Sequence, residues 1–130
     1  MTQDYFQKSR AISDIVFAYR NIQGNHGKLL SYRDFAMQIS CLLQKVDKSI
    51  SHQAIKNWED RRNLPRPKLM LLIRNLSPVD WRKDFASDLL AILEPDNYPT
   101  TTEIADTALE RSLTDTDPQK YGYDQTYLQG

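Results

Sequence analysis

Two amides, an imidazole and an ammonium are set at helical spacing within Ile50-Ser51-His52-Gln53-Ala54-Ile55-Lys56-Asn57-Trp58-Glu59. Read as a helix, this segment sends Ile55 and Trp58, three residues apart, to one side, and gathers His52, Gln53, Lys56 and Asn57 on the other. The apolar side turns inward and the polar side faces out. Carboxamides, imidazole and ammonium are the groups that pair with base edges and phosphates. Arg61, Arg62, Arg66 and Lys68 follow directly and supply positive charge for a phosphate backbone.

Other chemistry finds less support. His26 lies in a Gly/Asn loop and His52 in the polar helix, and neither has a Ser or Cys nucleophile at a recognisable motif. The neighbouring acids Glu59 and Asp60 adjoin arginines and read as ion pairs or a helix end. Four glycines provide no phosphate-cradling loop. Cys41 is the single cysteine, which excludes an internal disulfide and a cysteine zinc site. Beside Leu42 and Leu43 it reads as a small core residue. No catalytic residue, cofactor or metal site is expected.

The elements that would position the polar face are helices throughout. Ile12, Ile15, Val16, Tyr19 and Ile22 form the stripe of helix one, and Gly24 stops it. Ser31 and Asp34 make a capping box for helix two. Its apolar series Phe35, Ile39, Leu42, Leu43 and Val46 predicts a helix to about Lys45 and a turn from Val46 to Ile50. Ser51, or alternatively Ser49, caps helix three. Pro67 opens helix four, with Leu69, Met70, Leu72, Ile73 and Leu76 as its apolar set. Ser77-Pro78-Val79-Asp80 then signals helix five, in which Trp81, Phe85, Leu89 and Leu93 recur every four residues until Pro95. Thr100 and Glu103 form a further capping box before a short helix containing Ile104, Ala105, Ala108, Leu109 and Leu113. No repeat and no strand is evident. The polar stretch from Thr114 to Gly130, with Tyr121, Tyr123 and Tyr127 out of period, is expected to lack fixed structure.

Leu30-Ser31-Tyr32-Arg33-Asp34-Phe35-Ala36, the Ile50 to Glu59 segment and Arg62-Asn63-Leu64-Pro65 together resemble the Cro/lambda-repressor-like helix-turn-helix family of DNA-binding regulators. The likeness covers about the first three fifths of the chain and rests on several ordered positions. It implies an all-α, lambda-repressor-like bundle with helix one at roughly Gln3 to Gln23, Ala36 of helix two packed on Ile55 of helix three, and Trp58-Glu59 closing helix three. It also implies that His52, Gln53, Lys56 and Asn57 read bases, and that Tyr32, Arg33, Ser51, Arg61, Arg62, Arg66 and Lys68 contact the DNA backbone. Either Gln53 or Asn57 suits a bidentate contact to adenine. The departure is the connection between helices two and three, which in this motif is typically about three to four residues.

Residues 1–83 carry 15 Lys+Arg against 7 Asp+Glu, and residues 84–130 carry 2 against 10, so a net charge of zero conceals halves of +8 and −8. Such a split suits a nucleic-acid-facing part with an acidic appendage. The 130 residues divide into a DNA-binding domain over 1–76, a helical extension over 77–113 and a flexible acidic tail over 114–130. No apolar run approaches the roughly 18 residues of a membrane span. The first residues lack the layout of a signal peptide, so a cytoplasmic location is expected. The apolar face of helix five is wide for so small a bundle, which predicts a homodimer seam through Trp81, Phe85 and Leu89. The expectation is a dimeric repressor of prokaryotic or phage type that occupies double-stranded DNA. The rival is a protein-interaction module, antitoxin-like or an assembly factor, whose acidic C-terminal segment holds a basic partner.

Overall fold

The long apolar stripe at the start of the chain becomes the helix on which the other elements assemble. The computed structural model describes residues 2–24 and 27–114; the expected loop residues Asn25 and His26 and the expected tail beyond Thr114 lie outside the described residues. The fold is all-α. Among the described residues there are six α-helices, α1 (Thr2–Ile22), α2 (Tyr32–Leu43), α3 (His52–Glu59), α4 (Pro67–Leu76), α5 (Trp81–Leu93) and α6 (Glu103–Thr114), and no strand. Helix α1 packs against α3, α5 and α6, while α2 packs on α3 and α4 lies along α5. Ile12, Ile15, Val16 and Tyr19 of α1 are buried, but Ile22, at the last turn, is exposed.

Four aromatic rings from three helices fill the junction. Phe35 of α2 lies 5.0 Å from both Trp81 and Phe85 of α5, and Tyr19 of α1 lies 5.4 Å edge-on to Phe85. Tilted and edge-to-face contacts of this kind add about 0.5–1.5 kcal/mol each beyond the area they bury. Phe85 and Leu89 are 0% exposed within the single chain. The expected dimer seam through Trp81, Phe85 and Leu89 is therefore corrected: Phe85 and Leu89 are spent inside one chain, and half-buried Trp81 completes the same aromatic cluster.

Buried polar groups fasten the joints between helices. Asp88 of α5 is wholly buried, and it accepts from the Tyr19 hydroxyl at 2.7 Å and from Thr102 Oγ1 at 2.8 Å. The Thr102 oxygen also accepts from the Ala105 amide, so one hydroxyl both caps α6 and ties it to α5. Burial pushes the Asp88 carboxyl up to about 6, against the lowering effect of its two hydrogen bonds. Burial and the contact with Asp88 raise the Tyr19 phenol as well.

Several local expectations shift. Thr102, and not Thr100, caps α6; Thr100 donates to the Asp106 carboxylate instead. Asp80 is the N-cap of α5, accepting from the Arg82 amide at 2.9 Å, whereas Ser77 ends α4 and donates back to the Ile73 carbonyl. Cys41 is exposed. It sits four residues from exposed Met37, on the side of α2 opposite Phe35, Ile39 and Leu42. Val46 is exposed too, because it falls in a 3-10 turn that has already left the core.

Candidate nucleic-acid interface

Helix α3 is short, and its two ends and inner face are each fixed by a separate device. Ser51 has extended backbone and its hydroxyl accepts from the Ala54 amide at 3.1 Å, satisfying one orphan donor of the first turn. Ile55 and Trp58 are buried, and with Ala36 they lie in the core where α2 packs on α3. At the far end Arg61 adopts φ 64, its amide donates to the Trp58 carbonyl at 3.2 Å, and the Arg62 amide donates to the Asn57 carbonyl at 2.8 Å. This pair of backward bonds terminates the helix without a glycine.

Glu59 locks the closed helix to its neighbours. Its carboxylate accepts from Arg20 of α1 at 2.7 Å and from the Tyr32 hydroxyl of α2 at 3.0 Å. The Arg20 guanidinium lies 3.8 Å over the Tyr32 ring and donates through Nε to the Leu30 carbonyl at 2.8 Å. Three helices thus meet on one ion pair whose side chains are nearly covered. Burial, followed by the hydrogen bond to Glu59, raises the Tyr32 phenol.

On the outer face, His52 and Gln53 are exposed, and Lys56 and Asn57 are half-buried. Gln53 Nε2 donates to Asn57 Oδ1 at 3.0 Å, and Lys56 Nζ donates to Asp60 at 2.7 Å. Both are surface contacts one helical turn apart, worth about 0.2–0.5 kcal/mol, so an incoming base edge can displace them at small cost. A groove of about 520 Å³ runs beside this face, and its lining brings Ser51, Gln53 and Asn57 together with Asn63 and Arg66.

The predicted backbone contacts divide into two groups. Arg33, Arg62, Arg66 and Lys68 are exposed and have no ion-pair partner among the described residues. Tyr32 and Arg61 are turned inward: Tyr32 bonds Glu59 and carries Arg20, and the Arg61 guanidinium lies 5.5 Å over the Phe6 ring of α1. Ser51 spends its hydroxyl as an acceptor on the helix cap. Arg20 and Asp88 are among the structural residues that the sequence analysis does not name. Asp88 does carry a signal, because it lies three residues after Phe85 on a face that is otherwise apolar.

Among the described residues no helix is long and apolar enough to cross a membrane. No family model matches the chain, and no curated protein and no solved structure matches it.

Proposed function

We infer that this protein binds double-stranded DNA through the outer face of α3 and acts as a transcriptional regulator by occupying its site. The observation that carries the reading is the pairing of a solvent-facing, hydrogen-bonding helix face with three exposed cations, Arg62, Arg66 and Lys68, that have no ion-pair partner among the described residues and lie in the stretch that follows it. Amides and imidazole provide base readout, whereas guanidinium and ammonium groups provide sequence-independent attraction to phosphate. Occupancy needs no covalent step: a bound protein excludes or positions polymerase by its location alone. In the dimeric form of this reading, two copies address half-sites roughly 34–36 Å apart, joined by a surface other than Phe85 and Leu89.

The test is titration of random-sequence duplex DNA over a salt series, followed by selection of bound sequences. Binding should weaken steeply with salt, and selection should converge on one sequence. Salt-insensitive binding, or none, refutes the reading.

One observation favours a second function. Glu103, Asp106 and Glu110 are all exposed on α6, giving that helix an acidic outer face. A basic protein partner would be attracted there. Co-purification of such a partner that is lost on Glu103→Gln with Glu110→Gln, without salt-dependent DNA binding, would decide for an interaction module.

A further inference from the structure

Between Leu43 and His52 the chain builds an elbow that a short helix-to-helix turn would not contain. Gln44–Val46 forms a 3-10 turn, Asp47 adopts φ 58, and the chain then leads to Ser51, the extended cap residue of α3. The Asp47 amide donates to the Gln44 carbonyl at 3.1 Å and the Lys48 amide to the Leu43 carbonyl at 3.0 Å. Further on, the Ser40 hydroxyl accepts from the Ile50 amide at 2.9 Å and donates to the Ile50 carbonyl at 3.1 Å, with Ile50 itself buried. The elbow is anchored at both ends. Its side chains from Gln44 to Ser49 are all exposed, and Lys45 and Lys48 have no ion-pair partner among the described residues. The single acid there is Asp47.

We propose that this elbow is a second phosphate grip, in which Lys45 and Lys48 hold the DNA backbone ahead of α3 in addition to the contacts of Arg62 and Arg66. The proposal rests on the DNA-binding reading of α3. Helix α3 has eight residues and is therefore about 12 Å long, close to the roughly 12 Å width of the major groove. Lys48 stands three residues ahead of Ser51, no more than about 11 Å of extended chain. Arg62 and Arg66 follow the other end within seven residues of Glu59. Exposed cations thus precede and follow α3 along the chain, and Arg66 shares with Ser51, Gln53 and Asn57 the groove beside its outer face. Such a grip adds affinity without adding sequence preference, because phosphates carry no base identity.

The experiment compares the full chain with Lys45→Gln/Lys48→Gln and with Asp47→Asn, on a random duplex of about 30 base pairs, by anisotropy across a salt series. Each phosphate that is no longer neutralised should lower the slope of log K against log salt by about 0.9, so the double lysine variant should fall short of wild type by about 1.8. Asp47→Asn should bind more tightly than wild type, since it removes the one opposing charge. Circular dichroism should be unchanged for all three proteins, because the altered side chains are exposed. A double variant with the wild-type slope overturns the second grip and leaves the DNA reading standing. A wild-type protein without salt-dependent binding overturns both.

Discussion

Replacing Asp88 by asparagine isolates the energetic cost of the buried carboxylate that joins α1, α5 and α6. In the folded chain, burial holds the Asp88 carboxyl at about 6, against 3.8 for an unburied aspartate. Between these two values the folded state keeps a proton that the unfolded state has released. Stability from this group is therefore fully present below about pH 3.8 and is lost as pH rises through about 6. At about 1.4 kcal/mol per pH unit, the whole loss is on the order of 3 kcal/mol, of which roughly 2–3 fall between pH 4 and pH 7.

The carboxamide of Asp88→Asn would retain an oxygen for the Tyr19 hydroxyl and could donate to Thr102 Oγ1, but the Thr102 proton would lose its acceptor. A missing neutral hydrogen bond costs about 1 kcal/mol, which leaves the variant more stable than wild type at pH 7 by on the order of 1–2 kcal/mol. Urea unfolding of both proteins at pH 4, 5, 6 and 7, followed by circular dichroism, measures the difference. Because every other titrating group is shared, the difference itself should move by about 2–3 kcal/mol toward wild type as the pH falls to 4. An offset that stays constant across this range would refute the assignment of a buried, protonatable Asp88. Asp84 and Asp106 also raise the Asp88 carboxyl through their charges, so neutralising Asp84 should shift the transition to lower pH.

Four further outcomes are expected. Gln53→Ala and Asn57→Ala should each cost about 1–3 kcal/mol on a selected site while leaving affinity for random DNA almost unchanged; equal losses on both would remove them from base readout. Neutralising Arg62 or Lys68 should weaken binding to all sequences and lower the salt slope by about 0.9 for each phosphate left without its cation, as read by the same titration. Glu59→Ala should destabilise the fold by about 3 kcal/mol or more, because it strands the covered Arg20 guanidinium and removes the acceptor of Tyr32; urea midpoints measure this. Phe85→Glu should unfold the chain and not merely release monomers, since an unpaired carboxylate at a wholly buried position costs several kcal/mol; circular dichroism with light scattering separates the two results.

The helices are legible in the sequence because their signals are local. Apolar periodicity marks α1 and α5 closely, Ser31 and Ser51 cap α2 and α3 as their positions predict, and Pro67 opens α4. Local signals mislead where two candidates compete within a few residues. Ser77-Pro78 looks like a helix start, yet Asp80 reaches the Arg82 amide and is held by the Arg82 guanidinium, which also donates to the Gln38 carbonyl of α2. That tertiary tie decides between the caps, and a sequence window does not contain it. The destination of the α5 stripe is equally non-local. A stripe of Trp81, Phe85 and Leu89 specifies that something must cover it; the partners Tyr19 and Phe35 lie more than forty residues away in the chain.

The same distinction separates the side chains of the candidate interface. Tyr32 and Arg61 have the right chemistry for phosphate and the right place in the sequence, but each meets a closer structural demand: Tyr32 completes the Glu59 and Arg20 network, and Arg61 lies over Phe6 while its backbone closes α3. Arg33, Arg62, Arg66 and Lys68 face no such demand among the described residues. A cation already held by a carboxylate or a ring must let go of it before it can serve a phosphate, whereas an unpaired one surrenders only water and counterions. The polar groups that hold α3 itself are therefore behind it, at the joints with α1 and α2, and its outer face keeps only weak contacts that a nucleic acid could replace. Rigidity at the back of a helix and replaceable bonding at its front are what a reading element requires, because base discrimination depends on holding a few donors and acceptors in fixed position.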